Sequence, residues 1–253
     1  MLDAFQNVIA NPASIAARRG LAELWTREQH PQGRLLFLEL RDRFSDLAWD
    51  AHLQDRKEIR ELVDEHGREW AGWLAEIVSY YKYHLGMIGG ITLTGEQFVQ
   101  HGARICAHFP IVHLGLSEPL CLDKVCTMPQ LAQMRSLYLG AVGDSEAALL
   151  ATCPYLTNLR SGALGKHITA VGMQALAASP YVGKVIAIDV TGNPGASSAM
   201  RGLLFTKQIN DSVYLLGPAA IPLYNDALDE AAKGYNCETP DWPPSDWDVA
   251  WTD

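Results

Sequence analysis

Cysteine is scarce in this chain, and long apolar runs and a surplus of basic charge are missing altogether. The five cysteines, Cys106, Cys121, Cys126, Cys153 and Cys237, form an odd, thin set in 253 residues. That is no framework for a disulfide-stapled secreted domain, and reduced thiols in a cytoplasm are the expected state. No stretch approaches the roughly 18 apolar residues of a membrane span. Asp3, Arg18-Arg19, Gly20 and Glu23 interrupt the start where a cleaved signal needs apolar continuity. Neither export nor membrane insertion is expected. With 20 Lys and Arg against 29 Asp and Glu the formal net charge is -9, which disfavours nucleic acid and anionic membranes and draws a basic partner by long-range attraction. A glycine-rich phosphate loop followed by lysine is also lacking.

What is present begins with helical periodicity. Apolar positions recur at three and four over about the first 85 residues, with turn signals between them. Asn11-Pro12 opens a segment through Leu21, Leu24 and Trp25 that Pro31-Gln32-Gly33 closes, and Leu35, Leu36, Leu38 and Leu40 mark the next. Asp55-Arg56-Lys57-Glu58 has the form of a capping box, predicting a helix from there to His66-Gly67. Arg68 to Tyr83 is expected as the last helix, with Trp70, Trp73, Leu74 and Ile77 on one face.

From Gly89 onward a second grammar takes over. Six short patterns, Ile91-Thr92-Leu93, Leu114-Gly115-Leu116, Leu137-Tyr138-Leu139, Gly162-Ala163-Leu164, Ile188-Asp189-Val190 and Val213-Tyr214-Leu215, begin 23, 23, 25, 26 and 25 residues apart. The flanking residues repeat too: Pro129-x-Leu131-x-x-Met134-x-x-Leu137-x-Leu139 is matched by copies starting at Pro154 and Pro180. One such unit cannot bury its apolar face alone, so units stack with their strands in a parallel sheet, as in a leucine-rich solenoid. Strand alternation sends the apolar members inward and their neighbours outward. The expected contact surface is therefore Thr92, His113, Ser136, Tyr138, Asp189 and Tyr214. In the C-terminal tail, Trp242, Trp247 and Trp251 stand among acidic residues such as Asp248. They either fold back as a cap or insert into a basic groove on a partner.

These repeats resemble bacterial leucine-rich repeat proteins of the ribonuclease-inhibitor-like kind. The N-terminal block resembles the short repeat-companion domain found before such repeats, through Leu21-Ala22-Glu23-Leu24-Trp25, Pro31-Gln32-Gly33-Arg34-Leu35-Leu36-Phe37-Leu38-Glu39-Leu40 and His66-Gly67-Arg68-Glu69-Trp70. The resemblance implies protein binding and carries no catalytic residues with it.

Catalytic alternatives are few. His101, Cys106, His108 and His113 lie within 13 residues but match no common zinc spacing. Ser197 in Gly195-Ala196-Ser197-Ser198-Ala199 lies seven residues beyond Val190, too far for a nucleophile elbow. His66-x-x-Glu69 lacks the second histidine of a metalloprotease helix. The expected fold is thus α/β: a leucine-rich-repeat-like solenoid of about six parallel rungs over residues 87–216, a helical cap over 1–86, and a cap or acidic Trp-rich tail over 217–253. The expected function is a non-enzymatic, cytoplasmic protein-binding scaffold without metal or cofactor, in its narrower form an inhibitor or immunity protein for a basic toxin domain. The alternative is an enzyme with a site on the post-strand loops, built on the histidine cluster.

Overall fold

A computed structural model describes residues 2–45, 48–182, 187–189, 205–208 and 213–216. The chain divides into two compact units, Met1–Met134 and Arg135–Asp253.

In the first unit, helices α1 (Leu2–Ala10), α2 (Ile15–Arg27), α3 (Pro31–Phe44) and α4 (Trp49–Ala71) precede the first strands. Ser14 caps α2 by accepting from the Ala17 N–H, and the His30 ring accepts from the Gln32 N–H, so that Pro31 opens α3 at a position needing no donor. Val8, Leu21, Trp25, Leu36 and Leu40 pack with Leu85 and Met87 into one core.

Three expectations fail here. Asp55 is no cap: α4 begins at Trp49, and Asp55 lies inside it, buried and paired with Arg41 of α3, while Glu58 pairs with Arg34 at 2.6 Å. Nor does α4 stop at Gly67, because Tyr83 packs there and donates its hydroxyl to the Gly67 carbonyl at 2.8 Å. The helix ends at Gly72, whose φ of 51° suits glycine. The predicted helix over Arg68 to Tyr83 is replaced by the end of α4, a 3-10 turn over Gly72–Glu76 and strand β1 (Tyr80–His84).

Strand β1 pairs antiparallel with β2 (Met87–Thr94) through the two-residue turn Leu85-Gly86, at φ 50° and 75°. Positive φ at both turn residues matches the twist of the strands. The helices hold this turn. The Arg18 guanidinium, wholly buried, donates to the carbonyls of Leu85 at 2.8 Å, Pro12 at 3.0 Å and His84 at 3.4 Å. Gln32 donates to the Gly86 carbonyl at 3.0 Å, the Glu39 carboxylate accepts from the Gly86 N–H, and a Cβ on Gly86 would collide with Leu36. Burial lowers the Arg18 pKa to about 10, partly countered by Glu39, so the cation persists at neutral pH.

Beyond the hairpin, Thr94 and Gln97 form a reciprocal capping box that starts α5 (Gly95–His108). Strand β3 (His113–Ser117) then pairs parallel with β2, Ile91 opposite Leu114 and Leu93 opposite Leu116. All four of those residues are buried. The short helix α6 (Leu122–Val125) and a 3-10 turn over Pro129–Gln133 complete this unit.

The second unit carries β4 (Ser136–Ala141), α7 (Asp144–Thr152), β5 (Ser161–Lys166), α8 (Ala170–Ala177) and β6 (Ala187–Asp189), the three strands running parallel. Leu137, Leu139 and Leu164 are buried, as are Leu150 and Leu176 on the helices. Three hydrogen-bonded contacts tie one repeat to the next. The Ser136 and Ser161 hydroxyls bond at 2.8 Å, and Asp144 at the start of α7 accepts from the Thr169 N–H and hydroxyl and the Gly172 N–H at the start of α8. The backbone N–H groups of Arg160 and Ser161 both donate to the Arg135 carbonyl. Each of these joins residues 25 to 28 apart, close to the sequence period.

The mixed α/β class and the mostly parallel pairing are as expected, and each of the six tripeptides meets a strand, with Val190 lying outside the described residues; among the described residues six parallel rungs are not seen. Val213–Leu216 forms β8, which lies antiparallel to β6, with Ile188 opposite Tyr214, and a strand the sequence reading omitted, β7 (Phe205–Gln208), pairs antiparallel on its far side. The last tripeptide therefore runs in the opposite sense to β6.

Candidate protein-binding face

In the first unit, strand register places Tyr80 beside Thr92 and Thr92 beside Gly115, with Lys82 beside Gly90 and Gly90 beside His113. Side chains paired this way share a face of the sheet, so Tyr80, Lys82, Thr92 and His113 belong to the face opposite Ile91 and Leu93. Tyr80 is 44% exposed; Lys82, Thr92 and His113 are half-buried. The Thr92 hydroxyl is shut off from solvent without a hydrogen-bond partner. The His113 ring meets that of His84 edge-on, 5.2 Å between centroids. Thr92 and His113 therefore share the predicted face, less openly than the sequence implied. Tyr80 and Lys82 lie where the spacing of Trp70, Trp73, Leu74 and Ile77 predicts helix, so the sequence does not place them on this face. The signal that could have found them is Tyr80-Tyr81-Lys82-Tyr83 running into Leu85-Gly86, an aromatic strand followed by a turn glycine.

In the second unit, Tyr138, Ala163 and Asp189 form one row across β4, β5 and β6. Tyr138 is half-buried between the buried Leu137 and Leu139, as alternation requires. Ser136, expected on the contact surface, is only 1% exposed; its hydroxyl is spent on Ser161, and it joins repeats rather than meeting a partner. Tyr214 is paired with Ile188 and Val213 with Asp189, so the register of β8 does not continue the Tyr138–Ala163–Asp189 row through Tyr214, contrary to expectation. Trp242, Trp247, Asp248 and Trp251 lie outside the described residues, as does Ser197.

The histidine cluster disperses. His101 is a half-buried residue of α5. Cys106 is buried on the same helix, and desolvation pushes its thiol up to about 12, leaving it protonated and inert at neutral pH. His108 donates Nδ1–H to the Arg104 carbonyl at 2.8 Å and packs edge-on against Trp73, over which the Arg104 guanidinium stacks at 3.9 Å. His113 is drawn to His84 instead. Among the described residues, no three His, Cys, Asp or Glu side chains converge so as to hold a metal ion. His66 lies against Trp70 within α4, a packing role. No described helix is long and apolar enough to cross a membrane.

No family model, curated protein or solved structure matches the chain. The residues and their geometry carry the functional reading.

Proposed function

We propose that this chain is a non-enzymatic protein-binding scaffold acting in the cytoplasm of a bacterium, its contact surface the strand face that carries Tyr138. The observation behind the reading is the pair of 25-residue links, Ser136 to Ser161 and Asp144 to Thr169, which hold successive copies in one geometry. Copies held this way present equivalent positions in a row, here Tyr138, Ala163 and Asp189. An aromatic ring set among small residues suits close approach by a folded partner. The net charge of -9 favours a basic one. In its narrower form the scaffold neutralises a basic toxin domain, acting as inhibitor or immunity protein.

A photo-crosslinking side chain placed at position 138 tests this in the native cell, with the exposed Glu96 on α5 as the control position. A discrete protein joined at 138 and not at 96 is the expected result. Absence of any adduct at 138, or the same adducts at both positions, counts against the reading. For the narrower form, co-expression should rescue growth against the toxic product of a neighbouring gene.

A further inference from the structure

Two glycines of β2 make room for a contact between two histidines. A Cβ on Gly89 would stand 2.8 Å from the Cβ of His84, and one on Gly90 would stand 3.4 Å from the Cβ of His113. Over this bare stretch of the middle strand, His84 from β1 and His113 from β3 bring their rings together at 5.2 Å and nearly perpendicular, 86° between planes. His84 immediately precedes the Leu85-Gly86 turn, and its carbonyl is one of those taken by Arg18. The pair thus sits where the helices grip the hairpin.

We propose that the His84–His113 contact is an acid-sensitive latch: a proton taken up by His84 loosens the β1–β2 hairpin from the helices that clasp its turn. His113 from β3 meets the His84 ring and Arg18 from α2 bonds its carbonyl, and the fields of these two groups, of Arg43 from α3 and of Lys82 from β1 all oppose a further positive charge. Glu39 of α3 accepts from the Gly86 N–H, and its charge favours the Arg18 cation. Desolvation is the largest influence and acts in the same direction, holding His84 neutral well below the usual histidine range. The same cationic surroundings disfavour a metal ion between the rings.

The sign follows from linkage. The folded form resists protonation while the opened form accepts a proton near pH 6.5, so closure is fully favoured above that value and is lost progressively as pH falls below it. Hydrogen exchange of the Tyr80–Thr94 amides in the full chain, at pH 7.5 and 5.0 and corrected for intrinsic rates, reads the opening directly. The opening constant should rise about 30-fold at pH 5.0, the factor for one histidine that is neutral when closed and ordinary when open. In His84→Gln the rise should vanish. No rise in the wild type, or an equal rise in His84→Gln, overturns the latch. Should His84→Gln fail to fold, an NMR titration of wild-type His84 decides. A ring that stays neutral to below pH 5 until the hairpin opens supports the latch; titration near 6.5 with the hairpin amides unmoved refutes it.

Discussion

The hairpin clasp of the first unit and the repeat links of the second solve the same problem by opposite means. The clasp is long-range and singular: Arg18 reaches residues 66 and 67 positions away, with Gln32 and Glu39 helping, and buries a full cation to do so. The links are shorter in range and bury no full charge, a serine pair and an aspartate cap that each join residues 25 apart in neighbouring copies. A first strand has no preceding copy to stack upon, so its turn is fixed by unlike elements; later strands borrow their geometry from the copy before. The clasp should therefore fail abruptly on a single change and the links in small steps.

Arg18→Met gives the sharpest break. It keeps the apolar stem but strands buried carbonyls, and a loss of about 3 to 5 kcal/mol is expected, as for other broken buried charge networks. Urea unfolding measures it, and a loss below about 1 kcal/mol would place the clasp among ordinary surface interactions. Next comes the repeat core: Leu137→Ala should cost about 2 to 5 kcal/mol, while the adjacent Tyr138→Glu costs far less because the side chain faces the other way. Equal losses in the two melts would overturn the face assignment.

The serine pair is a smaller effect with a diagnostic form. Ser136→Ala and Ser161→Ala should each cost about 1 to 2 kcal/mol, and the double variant less than their sum, since the two hydroxyls serve each other. Strict additivity would show that they are not coupled. Asp144→Asn is expected to lower the melting temperature least. The hydroxyl and N–H donors of Thr169, with the Gly172 N–H, hold the Asp144 carboxyl below its ordinary range. Its contribution is therefore present above the usual carboxylate pKa and is lost as pH falls through the lowered one. The melting difference from wild type should close in strong acid; a constant gap would assign it to something other than charge.

The second unit was the more legible of the two in the sequence, and the clasp explains why. The described residues of every tripeptide lie on a strand, and the copies at Pro129 and Pro154 mark the turns leading into β4 and β5, because a repeat writes its packing into a local pattern. Arg18 looked like any surface cation, since nothing near it in sequence says that it ends on a turn 66 residues later. Trp70, Trp73, Leu74 and Ile77 have helical spacing, yet Gly72 ends α4 and the tyrosine run beyond takes the strand pairing that β2 offers. Ser136 illustrates a further limit. Alternation assigns Ser136 to the contact surface, but a small hydroxyl with a partner can be buried, as this one is against Ser161.

Capture from native cell lysate with the wild-type chain and Tyr138→Glu side by side tests the binding surface most directly, once the two melt at the same temperature. The account predicts a protein retained by the wild type and at least about tenfold depleted on the variant, as expected for loss of an aromatic anchor. Recovery of the same proteins in the same amounts by both would contradict it.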